Sequence, residues 1–468
     1  MGSEQLETLA HPRINCIAQE SRSSSSTTTR SNAGPYWVQT ARTAQWTPDG
    51  TSLITTSGDN TIETIILPED LLSPGTFHEL RPYSSVTSSD PIFSTAIYPH
   101  FNLQNHNTTL ILYAARENGI KLKNALALDA ANWAVYPLVC PTTEVWRAPH
   151  SLLFNHEGTH FIAGSIAEFA IFDISRCNEE PLERKKVGFR KNSGHYNPKG
   201  LDWTREITGP KDIISAMDLS VEDMFAMGTW GRKIAIYSGA GRGELITTFS
   251  PDQVEGGSDR FGKGMSQVKW SPCGRYLYVA ERHSAGIHMY DIRGAGKRVG
   301  CLMGREAKTA VKLSFDVVPT AEGSEIWAGG TDGKMRMWRN PEQRGGVVSW
   351  DEEWSVHGEN DLVCATLVHA SGSIVATVAC KERYAFKAGS SDSASSSSSG
   401  ASLSSGSEDE DEDEESDTEC DSTSQKDAVP IVPIDEDEES HTLSATSSNV
   451  IEATERDSLS FLKIWSIS

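Results

Sequence analysis

Trp270-Ser271-Pro272-Cys273-Gly274, followed thirteen residues later by Ile287-His288-Met289-Tyr290-Asp291, is the stretch on which the fold turns. An apolar strand runs into a Pro/Gly turn, a second strand follows, and a third alternates apolar residues up to an aromatic and an aspartate. Gly and Asp suit such turns because Gly takes positive φ and Asp accepts from nearby backbone N–H groups. The turn recurs as Trp46-Thr47-Pro48-Asp49-Gly50, Phe154-Asn155-His156-Glu157-Gly158 and Val368-His369-Ala370-Ser371-Gly372, with degenerate copies after Tyr98, Leu219 and Val317. The aromatic-ended strand recurs as Phe169-Ala170-Ile171-Phe172-Asp173, Ile234-Ala235-Ile236-Tyr237, Met335-Arg336-Met337-Trp338 and Leu462-Lys463-Ile464-Trp465, with a weaker copy at Ile62-Glu63-Thr64-Ile65-Ile66. Spacings between the aromatics are 65, 53, 48 and 127 residues; removing the 78 residues 381–458 turns 127 into 49. Seven repeats of roughly fifty residues predict an all-β protein, a seven-bladed WD-repeat β-propeller with enlarged loops.

A closed ring must pair its last blade. The seventh blade has three strands of its own, near 362–369, 373–379 and 459–466, so Ile14-Asn15-Cys16-Ile17-Ala18 is expected to supply the fourth. The organisation that follows is an N-terminal segment (1–35) with the closing strand and a Ser/Thr-rich linker, propeller blades over 36–380, an insertion in the last blade (381–458) and a final strand (459–468).

Charge is unevenly placed along the 468 residues. The net charge is −22, yet residues 388–458 alone carry 21 acids against Lys426 and Arg456, which leaves −3 for the rest. Serine runs and acidic blocks of this kind cannot bury enough apolar surface to fold, so the insertion is expected to be disordered. Within it, Ser407, Ser416 and Thr418 lie just ahead of acids and are candidate phosphorylation sites; such a tail could compete for basic surfaces elsewhere in the chain. Val429-Pro430-Ile431-Val432-Pro433-Ile434 is an apolar island in the same tract. No window of 18 apolar residues exists, no signal peptide opens the chain, and eight scattered cysteines lack a C-x-x-C pair. A soluble intracellular protein with reduced thiols, no cofactor and no metal is the expectation.

Catalytic patterns are weak. His156-Glu157-Gly158-Thr159-His160 fits H-E-x-x-H, but that chemistry needs a helix and the segment aligns with the blade turns. Gly239-Ala240-Gly241-Arg242-Gly243 lies between strands with no helix to face a phosphate. An enzyme is not expected. Binding signals are stronger. Residues 184–205 hold seven Lys/Arg against Asp202, with rings interleaved, and residues 293–312 hold six against Glu306. Cations neutralise phosphates and rings stack on unpaired bases, so Arg184, Lys185, Lys186, Arg190, Lys191, Tyr196, Lys199, Trp203, Arg305 and Lys308 are the candidate RNA-binding residues. Solvated loops can carry the same composition, and Trp203 could instead anchor its own loop.

Several blade-specific segments resemble the telomerase Cajal body protein family. They are Ala41-Arg42-Thr43-Ala44-Gln45-Trp46 with its turn, Ala148-Pro149-His150-Ser151-Leu152-Leu153-Phe154, Gly228-Thr229-Trp230-Gly231-Arg232, Gly264-Met265-Ser266-Gln267-Val268 and Gly304-Arg305-Glu306. The resemblance is collinear over about 36–380. It implies a nuclear, monomeric RNA-binding propeller, with the cytoplasm as a second location. Its partners would be small nuclear RNA (box H/ACA Cajal-body RNA, telomerase RNA or spliceosomal snRNA) and ribonucleoprotein (RNP) proteins, in snRNP biogenesis, splicing or localisation. The alternative is a protein-only WD-repeat adaptor or assembly platform without RNA contact.

Overall fold

The structure is a computed structural model that describes residues 12–20, 41–116, 118–127, 132–187, 212–251, 262–294, 296–381 and 462–467. These form seven sheets, antiparallel except for one added edge strand in each of two, which are the blades of a seven-bladed propeller with successive strands running from an inner to an outer position. The inner strands are Ala41–Trp46, Ile92–Ile97, Ser151–Phe154, Ile214–Leu219, Met265–Trp270, Phe315–Pro319 and Asp361–Val368. The turns fall where the repeats place them, except in blade 6, where the strand runs past Val317 to Pro319. Their backbone demands are met at Gly50 and Gly274, which take φ of 70° and 69°.

Blade 7 is completed from the other end of the chain. Leu462–Ile467 pairs with Ile374–Lys381 on one side and Ile14–Glu20 on the other, with Cys16 opposite Trp465. Its outer edge is then covered by His78–Leu80, a parallel strand lent by blade 1. Gly346–Ser349 of blade 6 does the same for the outer strand of blade 5. Two outer edges are thereby removed as templates for pairing with another chain.

A hydrogen bond at or just beside the inner strands links every pair of neighbouring blades. Around the ring, the donors are Gln45 Nε2 to the Thr95 carbonyl (3.4 Å), Ser94 Oγ to Pro149 (2.9 Å), Ser151 Oγ to Ile214 (2.9 Å), Ser215 Oγ to Met265 (2.8 Å), Gln267 Nε2 to Phe315 (3.0 Å), Ser314 Oγ to Cys364 (3.2 Å) and Trp46 Nε1 to Leu367 (3.2 Å). Apolar layers fill the spaces between blades: Tyr136, Phe154, Phe161 and Phe172 between blades 2 and 3, and Phe169, Phe225 and Tyr237 between blades 3 and 4. In blade 7, Trp465 Nε1 donates to Thr377 Oγ1 (2.9 Å), which also meets His357 Nε2 (2.9 Å). Burial and Lys463 push the His357 ring down to about 3, so it remains neutral.

Candidate nucleic-acid interface

Strand direction alternates across each blade, so the turns between second and third strands and the blade-to-blade connections open on one face. That face decides which basic residues can act together.

The first basic stretch enters it along the outer strand of blade 3, Glu183–Lys186. Arg184 Nη1 donates to the Val139 carbonyl (2.7 Å) and lies 3.9 Å from buried Glu168. Lys185 Nζ donates to the carbonyls of Arg242 (2.5 Å) and Gly243 (2.7 Å), tying blade 3 to the short turn of blade 4. Lys186 is exposed. Arg190, Lys191, Tyr196, Lys199 and Trp203 lie outside the described residues, as do Ser407, Ser416 and Thr418. The two ends of the 188–211 connection are nonetheless fixed together: Val187 N–H donates to the Ala167 carbonyl and Ala167 N–H to that of Asp212, both at 2.8 Å. Asp212 Oδ1 in turn accepts from Gly231 N–H (2.7 Å).

Gly231 belongs to an open cleft of about 530 Å³ between blades 4 and 5, lined also by Trp230, Arg232, Lys263, Arg282, His283 and Ala310. Its floor is rigid for identifiable reasons. Glu281, fully buried, accepts from Arg232 Nε (2.6 Å), Arg232 Nη2 (3.3 Å) and Gly262 N–H (3.0 Å). Gly264 sits at φ 94°, where a Cβ would come within 2.9 Å of the Trp230 carbonyl oxygen, and a Cβ on Gly262 would meet the Arg282 oxygen at 1.9 Å. The Arg282 guanidinium stands 5.2 Å from the centre of the Trp230 ring, and its Nη1 has no hydrogen-bond partner among the described residues. Burial lowers the Arg282 pKa, and burial with Arg282 nearby brings Lys312 down to about 8. Sequence reasoning used Trp230, Arg232 and Gly264 only for resemblance; Arg282 and Lys263 carried no signal, being isolated cations in the sequence.

The second basic stretch does not form one surface. Arg293 and Lys297 are exposed at the turn between third and fourth strands of blade 5, on the opposite face. Lys308 is exposed on the cleft's face, in the blade 5–6 connection. Arg305, expected as a phosphate contact, is instead only 2% exposed, with no partner for Nε and Nη1 among the described residues. Burial and the like charge of Arg336 bring it down to about 10. It belongs to the interior because its neighbours Ala307 and Leu313 draw the connection down onto the core beside Leu362 and Cys364.

The weak catalytic patterns resolve as turns. Gly158 takes φ 68° between two strands, and His156 Nε2 meets the Ser220 carbonyl oxygen of the next blade at 2.8 Å. Gly239–Gly241 is a single 3-10 turn. Among the described residues no group of His, Cys, Asp and Glu could hold a metal.

Lys312, a neighbour of Arg282 behind the cleft lining, gives a measurable titration. A lysine depressed in the folded state binds fewer protons there than when unfolded, so stability should rise with pH between about 8 and 10.5. Lys312→Met should flatten that rise relative to the unaltered protein in urea titrations across the range; parallel curves would show that Lys312 titrates normally.

The fold and the ring of hydrogen bonds between neighbouring blades together define a seven-bladed propeller of the WD-repeat kind. No protein-family model matches the chain. It is similar to Guanine nucleotide-binding protein negative regulator 1 of Schizosaccharomyces pombe, 28% identical over 332 residues, covering 69% of this chain and 75% of that protein. It is similar to Telomerase Cajal body protein 1 of Homo sapiens, 25% identical over 299 residues (63% and 48%), and to Protein SWT21 of Candida glabrata, 24% over 330 residues (68% and 69%). The chain thus spans about half the length of the telomerase Cajal body proteins it matches. The resemblance read from the blade-specific segments is borne out by these relatives.

Proposed function

We propose that this propeller is a non-enzymatic, RNA-binding scaffold of small nuclear ribonucleoproteins, nuclear in location, acting in their biogenesis or localisation. The observation that carries the reading is convergence on one face. The root of the basic 188–211 connection, exposed Lys186 and Lys308, and the cationic cleft all open there, and the cleft is built from the family-like segments at 228–232 and 264–268. Phosphates would meet Lys186, Arg190, Lys191, Lys199 and Lys308, with Tyr196 or Trp203 stacking on a base. Arg184 and Lys185 act on RNA only indirectly, by fixing the strand from which the connection leaves. The partners are small nuclear RNA of the Cajal-body, telomerase or spliceosomal kind, with their RNP proteins, engaged by a monomeric propeller. Names of the relatives, telomerase Cajal body proteins among them, support that direction.

A second reading rests on the fission-yeast relative, which is named as a regulator of a guanine nucleotide-binding protein. In it the same face docks protein alone. Changing Lys186, Arg190, Lys191 and Lys308 to Gln separates the two. The RNA reading expects weaker binding to every RNA tested and a salt dependence flattened by roughly 0.7 in log–log slope per lost contact. Trp203→Ala should cost about 1–3 kcal/mol in affinity if that ring stacks. Unchanged affinity and slope would favour the protein adaptor.

A further inference from the structure

We infer that the cleft between blades 4 and 5 takes a single unpaired nucleotide, its base against Trp230 and its phosphate against Arg282 and Lys263. The inference rests on the RNA-binding reading above and adds the site and the form of RNA that it selects.

Trp230 is a large apolar ring left 51% exposed on a turn that has no slack. The Trp230 backbone N–H donates to the Ile213 carbonyl (3.0 Å), Arg232 N–H closes back on the Thr229 carbonyl (3.1 Å), and Gly264 packs against the Trp230 backbone. An aromatic held rigidly in solvent loses no further freedom when a flat partner stacks on it. The guanidinium of Arg282 stands 5.2 Å from the ring centre, and half of the Trp230 surface is still exposed.

The polar groups specify an anion beside that plane. Glu281 is committed to Arg232 and Gly262 N–H, so it neutralises Arg232 and leaves Lys263 and Arg282 as the free positive charge of the cleft. The Arg282 side chain is only partly buried where it lines the cleft, and its Nη1 has no hydrogen-bond acceptor among the described residues. Phosphate oxygens are strong acceptors for guanidinium N–H groups. A ring face with an adjacent unsatisfied cation matches the base and phosphate of one nucleotide. The volume of about 530 Å³ falls within the range of small-ligand pockets, about 300–1,000 Å³. A base inside a duplex has both faces covered by its neighbours, so the cleft selects loops, bulges and ends.

The test uses the full chain, with a fluorescein-labelled hairpin RNA bearing an unpaired loop and a fully paired duplex of the same composition. Trp230→Ala should weaken loop binding by about 5- to 150-fold while leaving duplex binding and the melting temperature unchanged. Trp230→Phe should retain most of the affinity, and Arg282→Gln should lose about tenfold or more. Loop binding by Trp230→Ala equal to that of the unaltered protein would overturn the nucleotide site and leave the RNA reading standing. Equal losses for loop and duplex with a lowered melting temperature would also overturn it, by making Trp230 structural. Failure of the unaltered protein to bind either RNA would overturn both readings.

Discussion

Truncation before residue 459 should leave a chain that no longer unfolds cooperatively, because the lost strand, Leu462–Ile467, is an internal member of blade 7. It is hydrogen-bonded on both edges, to Ile374–Lys381 and to Ile14–Glu20. Leu462 and Ile464 are fully buried and Trp465 nearly so, and Trp465 closes the contact with Thr377. Burial of three such side chains is worth about 1.5–3 kcal/mol each, which together rivals the 5–15 kcal/mol typical of whole domains. The ring of blade-to-blade hydrogen bonds would also open, since Trp46 could no longer find Leu367 in a displaced blade. Deleting residues 388–450 is the matched control, because it leaves both strands and shortens their connection. Loop-closure entropy then favours the variant by about 1 kcal/mol. Thermal melts should show loss of the transition for the first truncation and an unchanged or slightly raised midpoint for the second. An unchanged melt for the first would contradict ring closure.

Glu281→Ala should be the most costly single substitution in the cleft. The carboxylate is fully buried and holds Arg232, Gly262 N–H and, at 3.9 Å, His288. Removing one partner of a buried ion pair leaves the other uncompensated, at about 3–5 kcal/mol. Glu281→Gln retains an acceptor for Gly262 and should cost less. Denaturant unfolding checks both, and a loss under 1 kcal/mol for the alanine variant would show that the cleft is not organised around Glu281. Because Gly262 and Gly264 set the position of Trp230 and Arg282, the same variant should loosen RNA binding.

The ring was legible in the sequence because its parts are local. A blade turn needs Gly or Asp at a fixed offset, and the third strand ends on an aromatic that fills the space between blades, as Phe172 and Tyr290 do. Blade 2 escaped that pattern: its third strand, Ile120–Asn124, ends on a buried Asn whose side chain donates to the His106 carbonyl (2.8 Å) and Thr109 Oγ1 (2.9 Å) instead of packing a ring. The lent strands His78–Leu80 and Gly346–Ser349 were invisible because only three or four residues pair, and they pair with a different blade. Basic composition marked the connection whose ends are Val187 and Asp212, yet composition cannot assign faces. It therefore grouped Arg293 with Lys308, which strand direction places on opposite sides, and took Arg305 for a surface cation. The cleft is assembled from four separate turns and connections, so no single stretch of chain announces it.

Photo-crosslinking of the full-length protein in its own cells, with sequencing of the attached RNA and mapping of the attached peptides, tests the central claim most directly. The account predicts enrichment of small nuclear RNAs, with crosslinks on the face bearing Trp230, Lys263 and Lys308. Recovery of protein partners without RNA, or RNA crosslinks confined to the opposite face around Arg293 and Lys297, would contradict it.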